Sequence, residues 1–183
     1  MTDKVTTGCA GLDQVLFGGI PVNTISVIMG APGTGKTILA EQMAFANASL
    51  KKPVLYLTTM SEPLEKFIMH GQTYRFFDLS KIGESIFYED LGLLLKEQGI
   101  EKLPELISDL FMERRPGLIF IDSFKALKDP AHGWAAGRFI HLTRNSLPRL
   151  GQARAQTLLR QPIDEQTEDH DQAERHDALG LGR

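Results

Sequence analysis

Short apolar runs alternate with longer amphipathic stretches over residues 1–130. Ile25-Ser26-Val27-Ile28-Met29 is rich in β-branched side chains and is bounded by Asn23 and Gly30. It reads as a buried strand. Thr37 to Ala48 is rich in Ala, Leu and Met and reads as a helix. Pro53 precedes a second buried strand, Val54-Leu55-Tyr56-Leu57-Thr58. Ser61 is placed to cap a helix that runs to about His70, with Pro63 in its first turn. Ser85 to Tyr88 reads as a third strand. Leu103, Leu106, Ile107, Leu110 and Phe111 fall at helical spacing, and Pro104 suits that helix's first turn. Pro116-Gly117 marks a turn, and Leu118-Ile119-Phe120-Ile121 is a further buried strand that ends on Asp122. Near-continuous apolar strands separated by helices predict an α/β fold, a parallel sheet with helices on both faces. Ligands in that architecture bind beyond the carboxyl ends of the strands. Gly30, Thr59 to Glu62, and Asp122 all fall at such ends.

The pattern changes after about Pro130. Lysine is the main cation before it and is absent after it, where only arginine remains. Gln161 to His176 is crowded with Asp, Glu, Gln and His. So little apolar surface cannot offset the entropy of ordering, and disorder is expected over 161–183. The domain reading is an incomplete core over 1–130 and an atypical segment over 131–183. A native solvated tail and a frameshifted continuation both fit the shift in composition.

The stretch Gly30-Ala31-Pro32-Gly33-Thr34-Gly35-Lys36-Thr37 satisfies Gly-x-x-x-x-Gly-Lys-Thr between a strand and a helix. Glycines let the backbone take positive φ and approach phosphates without a Cβ. Successive N–H groups and the following helix's positive end then hold phosphate oxygens. Lys36 is expected to reach the β- and γ-phosphates, and the Thr37 hydroxyl to coordinate Mg²⁺. The expected nucleotide contacts run from Gly30 through Ile38. Asp122 ends an apolar strand, where the acid that helps hold Mg²⁺ belongs. Cys9, between small residues, is expected to pack as a small hydrophobe.

In the combination of these elements the chain resembles the KaiC-like branch of the RecA-type ATPases. The resemblance begins at Thr7-Gly8-Cys9-Ala10-Gly11-Leu12-Asp13 and passes through Leu16-Phe17-Gly18-Gly19-Ile20-Pro21. It continues through the phosphate loop to Leu118-Ile119-Phe120-Ile121-Asp122-Ser123. It implies a RecA-like core, ATP with Mg²⁺ as the bound nucleotide, and homo-oligomeric rings or filaments with ATP between subunits. Two departures stand out. The family's usual pair of glutamates past the second strand falls on Met60 and Ser61, and Glu62 lies one residue beyond. Glu62 and Lys36 are the catalytic candidates, Glu62 as general base or water-orienting group. Its other reading is a carboxylate favouring a helix dipole. The family's later strands are also expected to be missing, with only Thr157-Leu158-Leu159 hinting at one.

Composition narrows the function. Hydrophobic residues make up 42% and charged residues 23% of the 183, with a net charge of -3. That is ordinary for a soluble domain and does not support a strongly basic nucleic-acid protein. No apolar stretch approaches the roughly 20 residues of a membrane span, and a cytoplasmic location is expected. The leading expectation is Mg-dependent ATP binding, with β–γ hydrolysis slow or absent because of Met60 and Ser61. Assembly or signalling to a protein partner would follow from the bound state. A recombinase-like DNA-binding ATPase and a non-functional truncated product are the alternatives.

Overall fold

The computed structural model describes residues 3–59, 62–99, 102–122, 128–129, 133–134 and 156–162. A short antiparallel pair, β1 (Lys4–Val5) with β2 (Ile20–Pro21), flanks helix α1 (Ala10–Val15). Then come β3 (Ile25–Gly30), α2 (Lys36–Asn47), β4 (Val54–Thr58), α3 (Leu64–Gly71) and β5 (Ile86–Asp90). Helices α4 (Gly92–Gln98) and α5 (Leu103–Arg114) lead to β6 (Leu118–Asp122). A second antiparallel pair, β7 (Lys128–Asp129) with β8 (Gly133–Trp134), precedes β9 (Gln156–Pro162).

Five strands form one parallel sheet in the order β3-β9-β6-β4-β5. Every residue of β4 and β6 is buried, which explains their unbroken apolar runs: both faces are covered. Successive side chains of a strand point to opposite faces. Tyr56 and Phe120 therefore join Ala40, Met43, Ala44 and Phe45 of α2 in one core. Leu55, Leu57, Ile119 and Ile121 join Leu103, Ile107 and Phe111 of α5 in the other. Full burial of each such Leu, Ile or Phe contributes roughly 1.5–3 kcal/mol. Phe76 and Phe77 pack on the first core and Phe87 on the second. At the edge of the sheet among the described residues, β3 leaves Val27 and Met29 exposed.

Three expectations change. The helix after β4 starts at Leu64, because Pro63 sits at its N-cap in extended backbone and its carbonyl accepts from the Lys66 and Phe67 amides. Ser61, the expected cap, lies outside the described residues. Cys9 is exposed at the N-cap of α1 and is not packed. One strand expected to be missing is present: β9 lies between β3 and β6, its Leu159 paired with both Val27 and Ile121. It continues through Gln161 and Pro162, two residues into the stretch expected to be disordered, and pairs them with Met29 and Gly30. Residues 163–183 lie outside the described residues.

Candidate functional site

Strand β3 ends on Gly30, and α2 begins six residues later at Lys36. The loop between them turns through Gly33 at φ 79° and Gly35 at φ 81°. A Cβ on either would meet no atom within 4 Å, so the backbone conformation and not crowding demands glycine there. The Thr34 hydroxyl donates to the Ala31 carbonyl at 2.8 Å and tightens the turn. Lys36 is buried, and its ammonium is folded into the loop. Nζ donates to the Gly30 carbonyl at 2.7 Å, the Ala31 carbonyl at 2.6 Å and, more weakly, Thr34 Oγ1 at 3.4 Å. Residues Ala31 to Thr34 are exposed. Thr37 follows as the second residue of α2 and is half-buried; Ile38 is exposed. The first bond of the helix runs from the Leu39 amide to the Gly35 carbonyl at 2.9 Å. An anion held by this loop therefore meets a helix N-terminus and a lysine together.

Asp122 closes β6 at the same carboxyl edge and is buried. It follows Phe120 by two residues, so it projects to the face that α2 covers. One carboxylate oxygen accepts from the Tyr56 hydroxyl at 3.1 Å. Its carbonyl accepts from the Thr59 amide at 2.9 Å, which starts the segment after β4 against the acid. Asp122, Thr58 and Asp90 form one row across β6, β4 and β5. The chemistry of these residues fits Mg²⁺: the Thr37 hydroxyl and the Asp122 carboxylate would offer hard oxygen ligands, and Mg²⁺ keeps several waters beside one or two protein groups.

Glu62 lies between Thr59 and α3. Its carboxylate pairs with Lys66 Nζ at 3.0 Å, an i,i+4 pair. Its carbonyl accepts from the Tyr88 hydroxyl at 2.6 Å. Burial, and then the Glu62 charge, push the Tyr88 phenol far above its ordinary range, so it stays a neutral donor. Met60 and Ser61 lie outside the described residues.

The Thr7 to Asp13 opening is clasped around the Asp13 carboxylate. The Asp13 carboxylate accepts from the Thr6 hydroxyl, and from the Thr7 amide and hydroxyl at 2.7 Å each. Those donors, Thr6 first, hold its pKa below the usual carboxylate value. The clasped segment is tied to α2 through Gln42, which donates to the Gly8 carbonyl at 2.5 Å, and Asn47, which donates to the Thr6 carbonyl at 2.8 Å. A cleft of about 690 Å³ lined by Lys4, Lys51, Lys52, Arg115 and Leu118 lies at the other, amino ends of the strands.

Sequence reasoning passed over Tyr56 and Tyr88 as ordinary strand residues. For Tyr56 the available signal was a tyrosine between two leucines of an apolar strand, because a buried phenol needs a partner for its hydroxyl.

The parallel sheet with helices on both faces, and the glycine-rich loop between strand and helix, define a RecA-like P-loop ATPase core. The chain belongs to the KaiC family of ATPases, whose model matches residues 5–157, well over half of it. It is 38% identical over 65 residues to a UPF0273 protein of Thermotoga maritima, covering 36% of this chain and 27% of that protein. A UPF0273 protein of Pyrococcus horikoshii is 37% identical over 65 residues, covering 36% of this chain and 26% of that protein. The DNA repair and recombination protein RadB of Pyrococcus furiosus is 29% identical over 126 residues, covering 68% of this chain and 52% of that protein. The matched regions span about a quarter of the two UPF0273 proteins and about half of RadB. No helix among the described residues is long and apolar enough to cross a membrane.

Proposed function

We propose that the chain binds ATP with Mg²⁺ at Gly30–Thr37, turns it over slowly or not at all, and uses the bound state to drive self-assembly or to signal to a protein partner. The observation that carries this reading is the Lys36 ammonium, buried inside the loop and at the same sheet edge as Asp122. On binding, phosphate oxygens replace the Gly30 and Ala31 carbonyls as acceptors for Lys36. Glycine-rich backbone and the α2 N-terminus take the remaining phosphate charge. Thr37 and Asp122 would hold Mg²⁺, which neutralises the β- and γ-oxygens when bound. Slow turnover is supported by Met60 and Ser61 at the family's glutamate positions and by the Glu62 carboxylate resting on Lys66. A thermal melt tests the binding. ATP with Mg²⁺ at about 100 times the wild-type Kd should stabilise wild type by about 2.7 kcal/mol and, at the same concentration, Lys36→Ala by about 1.4 kcal/mol or less; equal shifts in both would overturn the assignment.

The RadB likeness and the basic cleft of Lys4, Lys51, Lys52 and Arg115 favour a second reading, a recombinase-like DNA-binding ATPase. Single-stranded DNA would then bind with a strong salt dependence and raise ATP turnover. Failure on both counts would remove it.

A further inference from the structure

The buried tyrosine of β4 has its ring and its hydroxyl held by different parts of the molecule. Tyr56 is 2% exposed. Its ring stacks on Phe120 at 5.5 Å and on Tyr88 at 6.0 Å, and packs tilted against Phe67 at 5.2 Å. Phe120 pairs with Tyr56, and Asp122 pairs with Thr58 on the neighbouring strand. Asp122 is thus the diagonal neighbour of Tyr56 on the same face, within reach of a long aromatic side chain. The hydroxyl meets that carboxylate at 3.1 Å. For packing alone phenylalanine would serve here, since three aromatic rings already surround this one. The hydroxyl adds a fixed donor to the acid at the strand's end.

We infer that Tyr56 is a positioning residue for magnesium: its hydroxyl holds the Asp122 carboxylate in the rotamer that receives Mg²⁺ with ATP. The inference rests on the proposed function, and specifically on Asp122 serving the metal. Two features support it. A carboxylate offers about four acceptor sites, so one donated bond is compatible with a cation or its waters on the others. The ring cannot swing away, because its neighbours come from β5, β6 and α3. Outer-shell partners of this kind orient metal-binding carboxylates and tune their affinity.

The test is a magnesium titration of nucleotide binding, with a fluorescent ATP analogue on the full chain, for wild type, Tyr56→Phe and Asp122→Asn. Affinity for the analogue is also measured in EDTA. In Tyr56→Phe the magnesium concentration for half-maximal enhancement should rise about tenfold, the low end for loss of an outer-shell partner. Affinity in EDTA should match wild type. Asp122→Asn should raise the magnesium requirement at least as far. If Asp122→Asn raises it and Tyr56→Phe does not, the role of Tyr56 is overturned and the proposed function stands. If Tyr56→Phe weakens binding equally in EDTA and in magnesium, the tyrosine supports packing and the inference again fails. If Asp122→Asn leaves the requirement unchanged, the metal role of Asp122 is wrong and the inference falls with it.

Discussion

The Lys36 ammonium lies 2.7 Å from the carbonyl oxygen of Gly30, so the last residue of one strand and the first of the next helix are fastened across the phosphate loop. The lysine therefore serves the loop before any nucleotide arrives. Removing it should loosen the loop even in the free protein. Amide exchange at Gly33 and Thr34 should be faster in Lys36→Ala than in wild type without ATP. Unchanged exchange would mean that the loop holds its shape through Thr34 and the glycines alone.

Turnover is predicted to lie far below the enzyme median of about 10 s⁻¹. Met60→Glu or Ser61→Glu restores a carboxylate at the position from which family members activate water, and should raise phosphate release if the site assembles. A wild-type rate near that median would show that Glu62, or another group, already does this work.

Much of this was legible in the sequence, for physical reasons. β4 and β6 are buried on both faces, so their residues read as unbroken apolar runs. The phosphate loop was legible because its chemistry restricts residue type at fixed spacing. The bond from Tyr56 to Asp122 was not, because it joins residues 66 positions apart through a strand pairing that no local pattern encodes. β9 showed only as Thr157-Leu158-Leu159, since Arg160, Gln161 and Pro162 carry no apolar signal although their backbone pairs with β3. Cys9 was misjudged because small neighbours suggested packing, whereas its backbone starts a helix at the surface.

The place of β9 gives a stability prediction. It pairs on both sides, with β3 and with β6. A proline at its centre removes a ladder donor, a change found essentially only at sheet edges. Leu158→Pro should lower the melting temperature sharply or prevent folding. A wild-type melting curve for that variant would mean that β9 is not a sheet strand in solution.

The Asp13 clasp should make stability depend on acid. Hydrogen bonds from Thr6 and Thr7 lower its folded-state pKa below 3.8. A carboxyl whose pKa is lowered on folding stabilises the protein above its unfolded value and loses that contribution as pH falls through the folded one. The advantage of wild type over Asp13→Asn should therefore be complete at neutral pH and shrink below about pH 4. Melting temperatures of the two proteins across that range check it; a gap that stays constant would contradict the clasp.

The central claim is that this loop binds ATP with Mg²⁺ and that Lys36 makes the contact. Calorimetric titration of ATP in the presence of Mg²⁺ tests it most directly. Wild type should bind saturably, and Lys36→Ala should lose roughly tenfold or more in affinity, from a charge-assisted contact of about 1.5–3 kcal/mol. No saturable heat with wild type, or equal affinity in the two proteins, would contradict it.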